Sequence, residues 1–325
     1  MSVCIKSKIY RMKLKGINIS VGRSCFVQCS GCYNYFGHNK NLLSTETILN
    51  FLKYLKDYHI INKVTLCGGD PLSRPDIIFL LKQIKNLGLL INLDTVGTPL
   101  LDDVETVFYG KQNISKIDPY HLVDLIDLLG IPIDGDSNDI MAQFRKKRPK
   151  IYEEQLSILE ILEAANAKVC INTVVHKGNI DTLTNIYSII KKYKAIKKWQ
   201  IFQFMPIGPL GYKNRNLYLI SDDSFFLVKE QIEKLVHMNN EPGFVLEFKS
   251  CTSRKGIYLL VDSDGYAWVP KISNNKDWDT NFDSNHDRII FGNITSQGDF
   301  LKITQKMLDF INFIESKNTV SVGIM

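Results

Sequence analysis

The sequence predicts an α/β fold, namely a partial (β/α)6 barrel that is followed by a smaller α+β extension. Short apolar runs alternate with segments of helical periodicity up to about residue 205, an order that is typical of parallel sheets and barrels. From residue 208 onward the pattern changes to one long helix and several short strands. Six units are fewer than the eight of a closed barrel, so one side is expected to be open.

Each strand of the barrel is predicted from a short apolar run that is closed by glycine, proline or a polar residue. The six predicted strands are residues 17–21, 63–67, 89–93, 130–134, 168–175 and 199–205. The helices between them begin at suitable residues, such as the capping Ser44 and the helix-starting Pro75. The predicted helices are residues 44–55, 75–87, 120–129, 152–165 and 180–193.

The extension is predicted from a change in element order. Residues 208–215 resemble a loop, and Ser263-Asp264-Gly265 is a good turn between two strands. The expected elements are a helix at 223–238, strands at 244–248, 257–262 and 266–269, and a final amphipathic helix at 299–315. We therefore predict a barrel domain of residues 1–215 and an extension of residues 216–325.

The composition limits the possible partners. No window approaches about 18 apolar residues and no signal peptide is evident, so we expect a cytoplasmic protein without a membrane partner. The formal net charge of +6 is small for 325 residues and is spread over the chain, which argues against a nucleic-acid partner. Seven cysteines, of which three lie together, do not indicate a disulfide framework.

Three cysteines, Cys25, Cys29 and Cys32, follow the first predicted strand within eight residues. Ligands of α/β barrels bind at the carboxyl ends of the strands, so these thiols are expected at that rim. Three thiolates can ligate three irons of a [4Fe–4S] cube and leave the fourth iron open. A structural zinc site would need a fourth ligand, for which His38 is the nearest candidate. A zinc site and a chance grouping of cysteines are the alternatives to the cluster.

The spacing Cys-x3-Cys-x2-Cys in a repeating β/α chain resembles the radical S-adenosylmethionine (radical SAM) superfamily. The resemblance covers about residues 15–215 and implies a radical SAM barrel with two cofactors, a [4Fe–4S] cluster and SAM. In that family the open iron binds the amino and carboxylate groups of SAM. Reductive cleavage then releases a 5′-deoxyadenosyl radical, which abstracts hydrogen from a substrate. The resemblance also implies an external electron donor such as flavodoxin or ferredoxin.

Motifs at other strand ends strengthen the resemblance. Cys67-Gly-Gly-Asp-Pro71 ends the second strand, where the family usually carries Gly-Gly-Glu-Pro. Two glycines would let the backbone approach the methionine amino group, with the acid of Asp70 beside it. Tyr33-Asn34 resembles members with a Cys-Tyr-Asn ending, whereas Gly31 stands where an aromatic residue is often found. The SAM contacts that the resemblance implies are Gly68, Gly69, Asp70, Tyr33, Asp134, Ser137, Arg145, Asn172, Thr173, Phe202 and Met205.

Several of these residues have a simpler explanation. Arg145-Lys-Lys-Arg148 is equally well explained as a solvated basic loop. Asn172 and Thr173 are explained as polar residues satisfied inside a barrel, and Phe202 as a core residue. These alternatives stay open at the level of sequence.

Two weaker likenesses concern the later part of the chain. Tyr258-Leu-Leu-Val-Asp-Ser-Asp-Gly265 and Gly292-Asn-Ile294 resemble the SPASM/twitch extension of peptide-modifying members. In that extension a cysteine follows the turn, but this chain has Ala267-Trp-Val-Pro270, so no auxiliary cluster is expected. Val169-Cys-Ile-Asn-Thr-Val-Val175 and Trp199-Gln-Ile-Phe-Gln203 are similar to strands of viperin-type enzymes, which dehydrate nucleoside triphosphates.

Three functions follow from these patterns. The first is a radical SAM enzyme that acts on a small molecule such as a nucleotide, a sugar or a natural-product intermediate. The second acts on a peptide, and the third is a non-enzymatic zinc-binding protein. Only about 16 residues precede the first strand, so the usual N-terminal peptide-recognition domain is not expected, which favours a small molecule.

Residues that could line the substrate side lie after the predicted strands. They are Tyr33, Asn34, His38, Asp94, Thr95, His176, Gln203 and Lys213. His176 is explained more simply as a surface histidine. Residues 271–288 are predicted to form a loop that orders over the substrate.

Overall fold

The computed structural model describes residues 16–32, 42–239, 243–251, 259–270 and 288–320. Fourteen strands and ten α-helices are assigned within these ranges. The strands are β1 Ile17–Gly22, β2 Gln28–Cys29, β3 Lys63–Gly68, β4 Leu90–Asp94, β5 Val104–Glu105, β6 Asn113–Ile114, β7 Leu128–Pro132, β8 Arg145–Lys146, β9 Val169–Val175, β10 Ile196–Gln203, β11 Val245–Lys249, β12 Leu259–Val261, β13 Tyr266–Pro270 and β14 Arg288–Asn293. The helices are α1 Thr45–Asp57, α2 Ile77–Asn86, α3 Pro119–Val123, α4 Asn138–Phe144, α5 Ile151–Ala164, α6 Leu183–Ile190, α7 Gly208–Lys213, α8 Arg215–Tyr218, α9 Asp222–Met238 and α10 Phe300–Val320.

Ten of the strands form one sheet in the order β11-β10-β9-β7-β4-β3-β1-β12-β13-β14. The six predicted barrel strands are β1, β3, β4, β7, β9 and β10, and they pair in parallel. The predicted fold class, a parallel partial barrel with an extension, is confirmed. The sheet also continues on both sides, because β11 pairs in parallel with β10, and β12 pairs in parallel with β1. Among the described strands of this sheet, the β12–β13 and β13–β14 pairs are antiparallel.

Four short helices differ from the sequence prediction. The helix predicted for residues 120–129 ends at Val123, since β7 already begins at Leu128. Helix α4 was not predicted, although Ser137 caps it by accepting a hydrogen bond from the Ile140 amide. Residues 208–218 hold α7 and α8 rather than a loop, with a proline in the first turn of α7 that favours a helix start. Glycine and proline in this segment predict a loop, but both residues are also tolerated at a helix N-terminus.

The two faces of the barrel sheet have different surroundings. Trp199 of β10 stacks on Tyr187 of α6, with ring centroids 6.4 Å apart, so this face of the sheet is covered by helices. Because side chains alternate along a strand, Lys198, Gln200 and Phe202 of β10 point to the opposite face, the barrel interior. The helix-covered face carries the main apolar core, to which α1 contributes Phe51 and three aliphatic side chains.

The extension packs against the end of the barrel strands. Trp268 of β13 and Ile207 form a buried apolar cluster together with Met205, Leu260 and Ile290. Strands β10 and β13 are far apart in the order of the sheet, so the sheet must curve for these residues to meet. The β12–β13 hairpin contains the predicted Ser263-Asp264-Gly265 turn, in which Gly265 has a φ of 89°. No described helix is long and apolar enough to cross a membrane.

Candidate active site

The loop that carries the three cysteines is held by backbone hydrogen bonds to two other segments. The amide of Cys25 donates to the Phe108 carbonyl over 3.1 Å, and the amide of Ser30 donates to the Phe144 carbonyl over 2.8 Å. The side-chain Nδ2 of Asn214, in the α7–α8 segment, also donates to the carbonyl of Ser30, over 2.7 Å. The loop is therefore fixed at the carboxyl edge of the sheet, as predicted. Asn214 was missed, because nothing in the sequence links it to a loop 184 residues away.

The thiols lie in apolar and mutually interacting surroundings. Burial raises the pKa of Cys25, and the charges of Asp70, Cys29 and Cys32 raise it further. Burial also raises the pKa of Cys29, although the positive charge of Arg145 opposes this rise. Three thiolates in such surroundings need a compensating cation. Among the described residues, no three His, Cys, Asp or Glu side chains converge on one metal ion. A [4Fe–4S] cube does not require such convergence, because each thiolate ligates a different iron.

The two glycines that end β3 allow close contact with the start of the cysteine loop. A Cβ on Gly68 would lie 2.6 Å from the carbonyl oxygen of Gly22, and one on Gly69 would overlap the Arg23 carbonyl. The amides of Gly69 and Asp70 donate to the carbonyls of Gly22 and Ser24 over 2.8 and 2.7 Å. Because the two glycines have no side chains, the backbones of the two loops can pack against each other. From the sequence, the same glycines are explained by the approach of SAM.

The Asp70 carboxylate points into the protein. It accepts hydrogen bonds from the Leu72 amide at 2.9 Å, the Thr95 hydroxyl at 2.7 Å and the Val96 amide at 2.7 Å. Burial raises its pKa to about 6, and these hydrogen bonds limit the rise. Asp70 therefore joins the ends of β3 and β4, and Thr95, a predicted substrate residue, is one of its donors. Only the backbone around Asp70 remains available to face a ligand.

Asp134 and Arg145 form a buried ion pair next to the cysteine loop. The Arg145 Nε donates to Asp134 Oδ2 over 2.5 Å, and Asp134 Oδ1 accepts the Val174 amide over 2.7 Å. The Arg145 Nη1 lies 3.4 Å from Cys29 Sγ. Arg145 is thus not part of a solvated loop, since its side chain is 12% exposed. Ser137 caps α4 close to this pair in sequence.

Asp94 and Asn172 meet across the interior of the barrel. The amide nitrogen of Asn172 donates to Asp94 Oδ1 over 3.2 Å. The intervening strand β7 has Gly130 at this point, where a Cβ would lie 2.7 Å from the Asn172 nitrogen and closer still to Asp94 Oδ1. Burial raises the pKa of Asp94 to about 6, and the Asn172 hydrogen bond opposes the rise. The structure brings together two predicted residues, and Gly130, which was missed, makes room for them.

Two predicted site residues lie on the helix-covered face instead. The Thr173 hydroxyl donates to the Ile133 carbonyl over 2.6 Å and accepts from the Trp199 indole over 2.9 Å. The Gln203 amide donates to Asp222 over 2.9 Å and accepts from the Cys251 amide over 2.7 Å. Each follows, in its strand, a residue whose side chain points into the barrel interior, so its own side chain points the other way. The structure therefore does not bring Thr173 or Gln203 to the site.

His176 was expected at the surface, and this prediction is wrong. Its ring is fully buried and stacks on Phe144, with centroids 5.1 Å apart and planes at 24°. Burial lowers the pKa of His176 to about 4, so the ring is neutral at pH 7. The Gly178 amide donates to its Nδ1 over 3.0 Å, which assigns the ring proton to Nε2. His176 is buried because the rings of Phe144 and Tyr218 pack against it.

An aromatic cluster lies directly behind the cysteine loop. Phe144, Phe204 and Tyr218 are buried together and contact Cys29. A Cβ on Gly31 would lie 3.1 Å from two Phe144 ring atoms and closer still to Phe204. The Phe204 ring therefore fills the space that a side chain at position 31 would need. This accounts for the glycine where the family often has an aromatic residue.

The remaining predicted residues are placed as follows. Phe202 is partly buried on the interior face of β10, and Met205 packs in the Trp268 cluster described above. Lys213 ends α7 and is exposed. Residues Tyr33, Asn34 and His38 lie outside the described residues, as does the predicted loop up to its last residue.

A charged group in the barrel interior was missed by the sequence analysis. Glu247 of β11 forms ion pairs with Lys198 at 3.2 Å and Lys249 at 2.5 Å, and accepts from Gln200 at 2.7 Å. Although burial by itself raises the pKa of Glu247, hydrogen bonds from Lys249 and Gln200 bring it down to about 2. The alternation of Lys198 and Gln200 along β10 indicates that both side chains lie on one face. Their partner Glu247 is on β11, which the sequence places in the predicted extension.

Comparison with known proteins agrees with this geometry. The family model described as the radical SAM superfamily matches residues 19–197, which is more than half of the 325 residues. This chain belongs to the radical SAM superfamily. It is accordingly an enzyme, and its cofactors are SAM and a [4Fe–4S] cluster. The non-enzymatic zinc-binding alternative is wrong.

Individual relatives are distant. The chain is 28% identical over 215 residues to an AdoMet-dependent heme synthase of Methanosarcina barkeri, covering 63% of this chain and 56% of the relative. It is 24% identical over 259 residues to an S-adenosylmethionine-dependent nucleotide dehydratase of Flammeovirga pacifica, covering 78% and 81% of the two chains. The crystal structure of Streptococcus suis SuiB bound to S-adenosylmethionine has a TM-score of 0.61 at 14% identity, covering 81% of this chain and 62% of SuiB.

The residues of the site fit a [4Fe–4S] cluster. Cys25, Cys29 and Cys32 could supply the three thiolates of a cube, and the loop that carries them is fixed by three other segments of the chain. The backbone at the end of β3 and the Asp134–Arg145 pair lie beside this loop. The site thus offers three thiols as donors, and the Arg145 guanidinium offsets part of the charge that three thiolates would carry.

Proposed function

We propose that this radical SAM enzyme acts on a small polar molecule that binds in the barrel interior. The observation that carries the proposal is the Asp94–Asn172 pair. The two side chains meet in the barrel interior, in the space that a side chain at Gly130 would fill. A carboxylate and an amide in a partly buried position are suited to hydrogen bonds with hydroxyl, amino or amide groups of a ligand. Core packing alone does not require a polar pair next to Gly130.

The roles that we propose for the cofactor-binding residues follow from their positions. Cys25, Cys29 and Cys32 hold the cluster, and the backbone of residues 68–70 faces the methionine end of SAM. Asp134, Ser137 and Arg145 are proposed SAM contacts, although the Arg145 guanidinium already uses Nε and Nη1 within the protein. When bound, the cluster and SAM supply a 5′-deoxyadenosyl radical for hydrogen abstraction. An external flavodoxin or ferredoxin is the proposed electron source.

The protein's own contribution to the reaction is to hold the substrate. Asp94 and Asn172 would orient it through hydrogen bonds, and the group formed by Lys198, Gln200 and Glu247 would bound the same interior on the β10–β11 side. Glu247 neutralises part of the lysine charge, so the interior favours polar molecules of low net charge over highly charged ones. Nucleotides belong in the test panel, since one relative is named a nucleotide dehydratase.

A peptide substrate is a second candidate, which the edge of the sheet favours. Among the described strands, β11 pairs only with β10, and its Val245 is 62% exposed. An extended peptide can add to such an edge through backbone hydrogen bonds. This candidate predicts that proline substitution in β11 would impair turnover without affecting cleavage of SAM.

The proposal is tested by the formation of 5′-deoxyadenosine. The anaerobically reconstituted enzyme is incubated with dithionite, SAM and either small polar metabolites, including nucleotides, or a peptide fraction. We expect small metabolites to stimulate 5′-deoxyadenosine formation and the Cys29→Ala variant to form none. Stimulation by the peptide fraction alone would favour the second candidate. Formation by Cys29→Ala at the normal rate would contradict the assignment of the cluster ligands.

A further inference from the structure

Arg145 makes a contact with the cysteine loop that SAM binding does not require. Strand β8 runs antiparallel to β2, and in this register Arg145 lies directly opposite Cys29. The guanidinium then extends to the thiol, so that Nη1 and Sγ are 3.4 Å apart. Backbone pairing and side-chain contact thus connect the same two residues, and neither depends on a bound ligand.

The guanidinium cannot leave this position easily. Its Nε donates to Asp134, whose side chain is fully buried and whose other carboxylate oxygen accepts the Val174 amide over 2.7 Å. Asp134 therefore belongs to the sheet and acts as a fixed acceptor behind Arg145. Since the Arg145 side chain is only 12% exposed, water screens its charge weakly.

We propose that Arg145 is a positioning residue for the cluster itself. By donating a hydrogen bond to the Cys29 sulfur, Arg145 raises the reduction potential of the cluster. Hydrogen bonds to ligand sulfurs and nearby positive charge stabilise the reduced, more negative state of an iron–sulfur cluster. Asp134 orients the donor and partly offsets its charge. This role rests on Cys29 being a cluster ligand and is separate from any contact of Arg145 with SAM.

The test is an anaerobic redox titration of the reconstituted enzyme, followed by electron paramagnetic resonance in the absence of SAM. At the potential where half of the wild-type cluster is reduced, Arg145→Gln should lower the ratio of reduced to oxidised cluster at least tenfold. For this one-electron couple a tenfold change corresponds to a midpoint about 59 mV more negative. Arg145→Lys, which keeps the charge but not the fork geometry, should lower the ratio three- to tenfold.

Lys146→Gln is the matched control. It removes the same charge from the adjacent residue of β8, whose side chain is exposed and points to the other face. Its ratio should stay within threefold of wild type. A general effect of net charge would shift it together with Arg145→Gln and would overturn the proposal.

Iron content separates the possible failures. If wild type binds no iron, the cluster assignment fails, whatever the role of Arg145. If Arg145→Gln retains iron and its ratio stays within threefold of wild type, the proposal is wrong. If Arg145→Gln loses iron, the titration of Arg145→Lys decides, and a ratio within threefold of wild type overturns the proposal. Loss of iron from both variants would show a role in cluster assembly only, which also overturns it.

Discussion

Gly31 allows a direct test of how the cysteine loop is packed. Its backbone φ lies outside the left-handed region, so alanine is excluded there by space and not by conformation. A Cβ would lie 3.1 Å from two Phe144 ring atoms and still closer to Phe204, whereas unstrained carbon contacts lie at about 3.5–4.0 Å. Phe144 and Phe204 are 4% and 2% exposed, so the rings have no free space to move into. We expect Gly31→Ala to lower the free energy of unfolding by about 1–3 kcal/mol.

A double-mutant cycle isolates this steric contact. Phe204→Ala alone should cost about 3–5 kcal/mol through the cavity it leaves. In that background Gly31→Ala should cost less than about 1 kcal/mol, because the added methyl group enters the cavity. The measurements are anaerobic urea unfolding, followed by circular dichroism, and iron content. Gly243→Ala is the control, since a Cβ at Gly243 meets no atom within 4 Å. Additive effects of the two substitutions would refute the reasoning.

Three further predictions follow from buried polar groups. The folded protein binds the Asp70 proton with a pKa of about 6, against 3.8 as the ordinary value, so this group makes the protein less stable as the pH rises from about 4 to 6. At about 1.4 kcal/mol per pKa unit the loss is about 3 kcal/mol; urea unfolding at several pH values should show it in wild type and not in Asp70→Asn, and equal pH profiles would contradict the expectation. Gly130→Ala should displace Asp94 and lower substrate-dependent turnover at least tenfold while 5′-deoxyadenosine formation without substrate continues, so unchanged turnover would count against the proposed substrate site. Asp264→Ala should lower the free energy of unfolding by about 3–5 kcal/mol, since it leaves the buried Arg23 without its ionic partner; a loss below about 1 kcal/mol in urea unfolding would argue against this ion pair.

The cofactor chemistry was accessible from local sequence, because the proposed cluster ligands are close together in the chain. Cys25, Cys29 and Cys32 lie on one loop, and their spacing is a property of a few consecutive residues. The parallel sheet was accessible for a similar reason, as the alternation of strands and helices is repeated along the chain. Capping at Ser44 was predicted correctly, since the Thr47 amide donates to its hydroxyl over 3.0 Å.

Other features depended on contacts between distant segments. Strand periodicity places Asn172 and Thr173 on opposite faces, but only the packing of α6 against Trp199 identifies which face is covered by helices. In the same way, the burial of His176 depends on Phe144 and Tyr218, which come from other elements. The pairing of β11 with β10 and of β12 with β1 extends the sheet into the predicted extension, and no local pattern specifies such a partner.

The composition of the cysteine loop and the order of strands and helices are therefore encoded locally, since they depend on the spacing of residues that are near each other in sequence. The position of Arg145 beside Cys29 and the Asp94–Asn172 pair at Gly130 arise only when strands pair in register. Register between strands is fixed by the packing of the whole sheet, so the same side chain can face a cofactor, a helix or solvent. Local sequence determines which chemical groups are present, and the fold determines which of them meet.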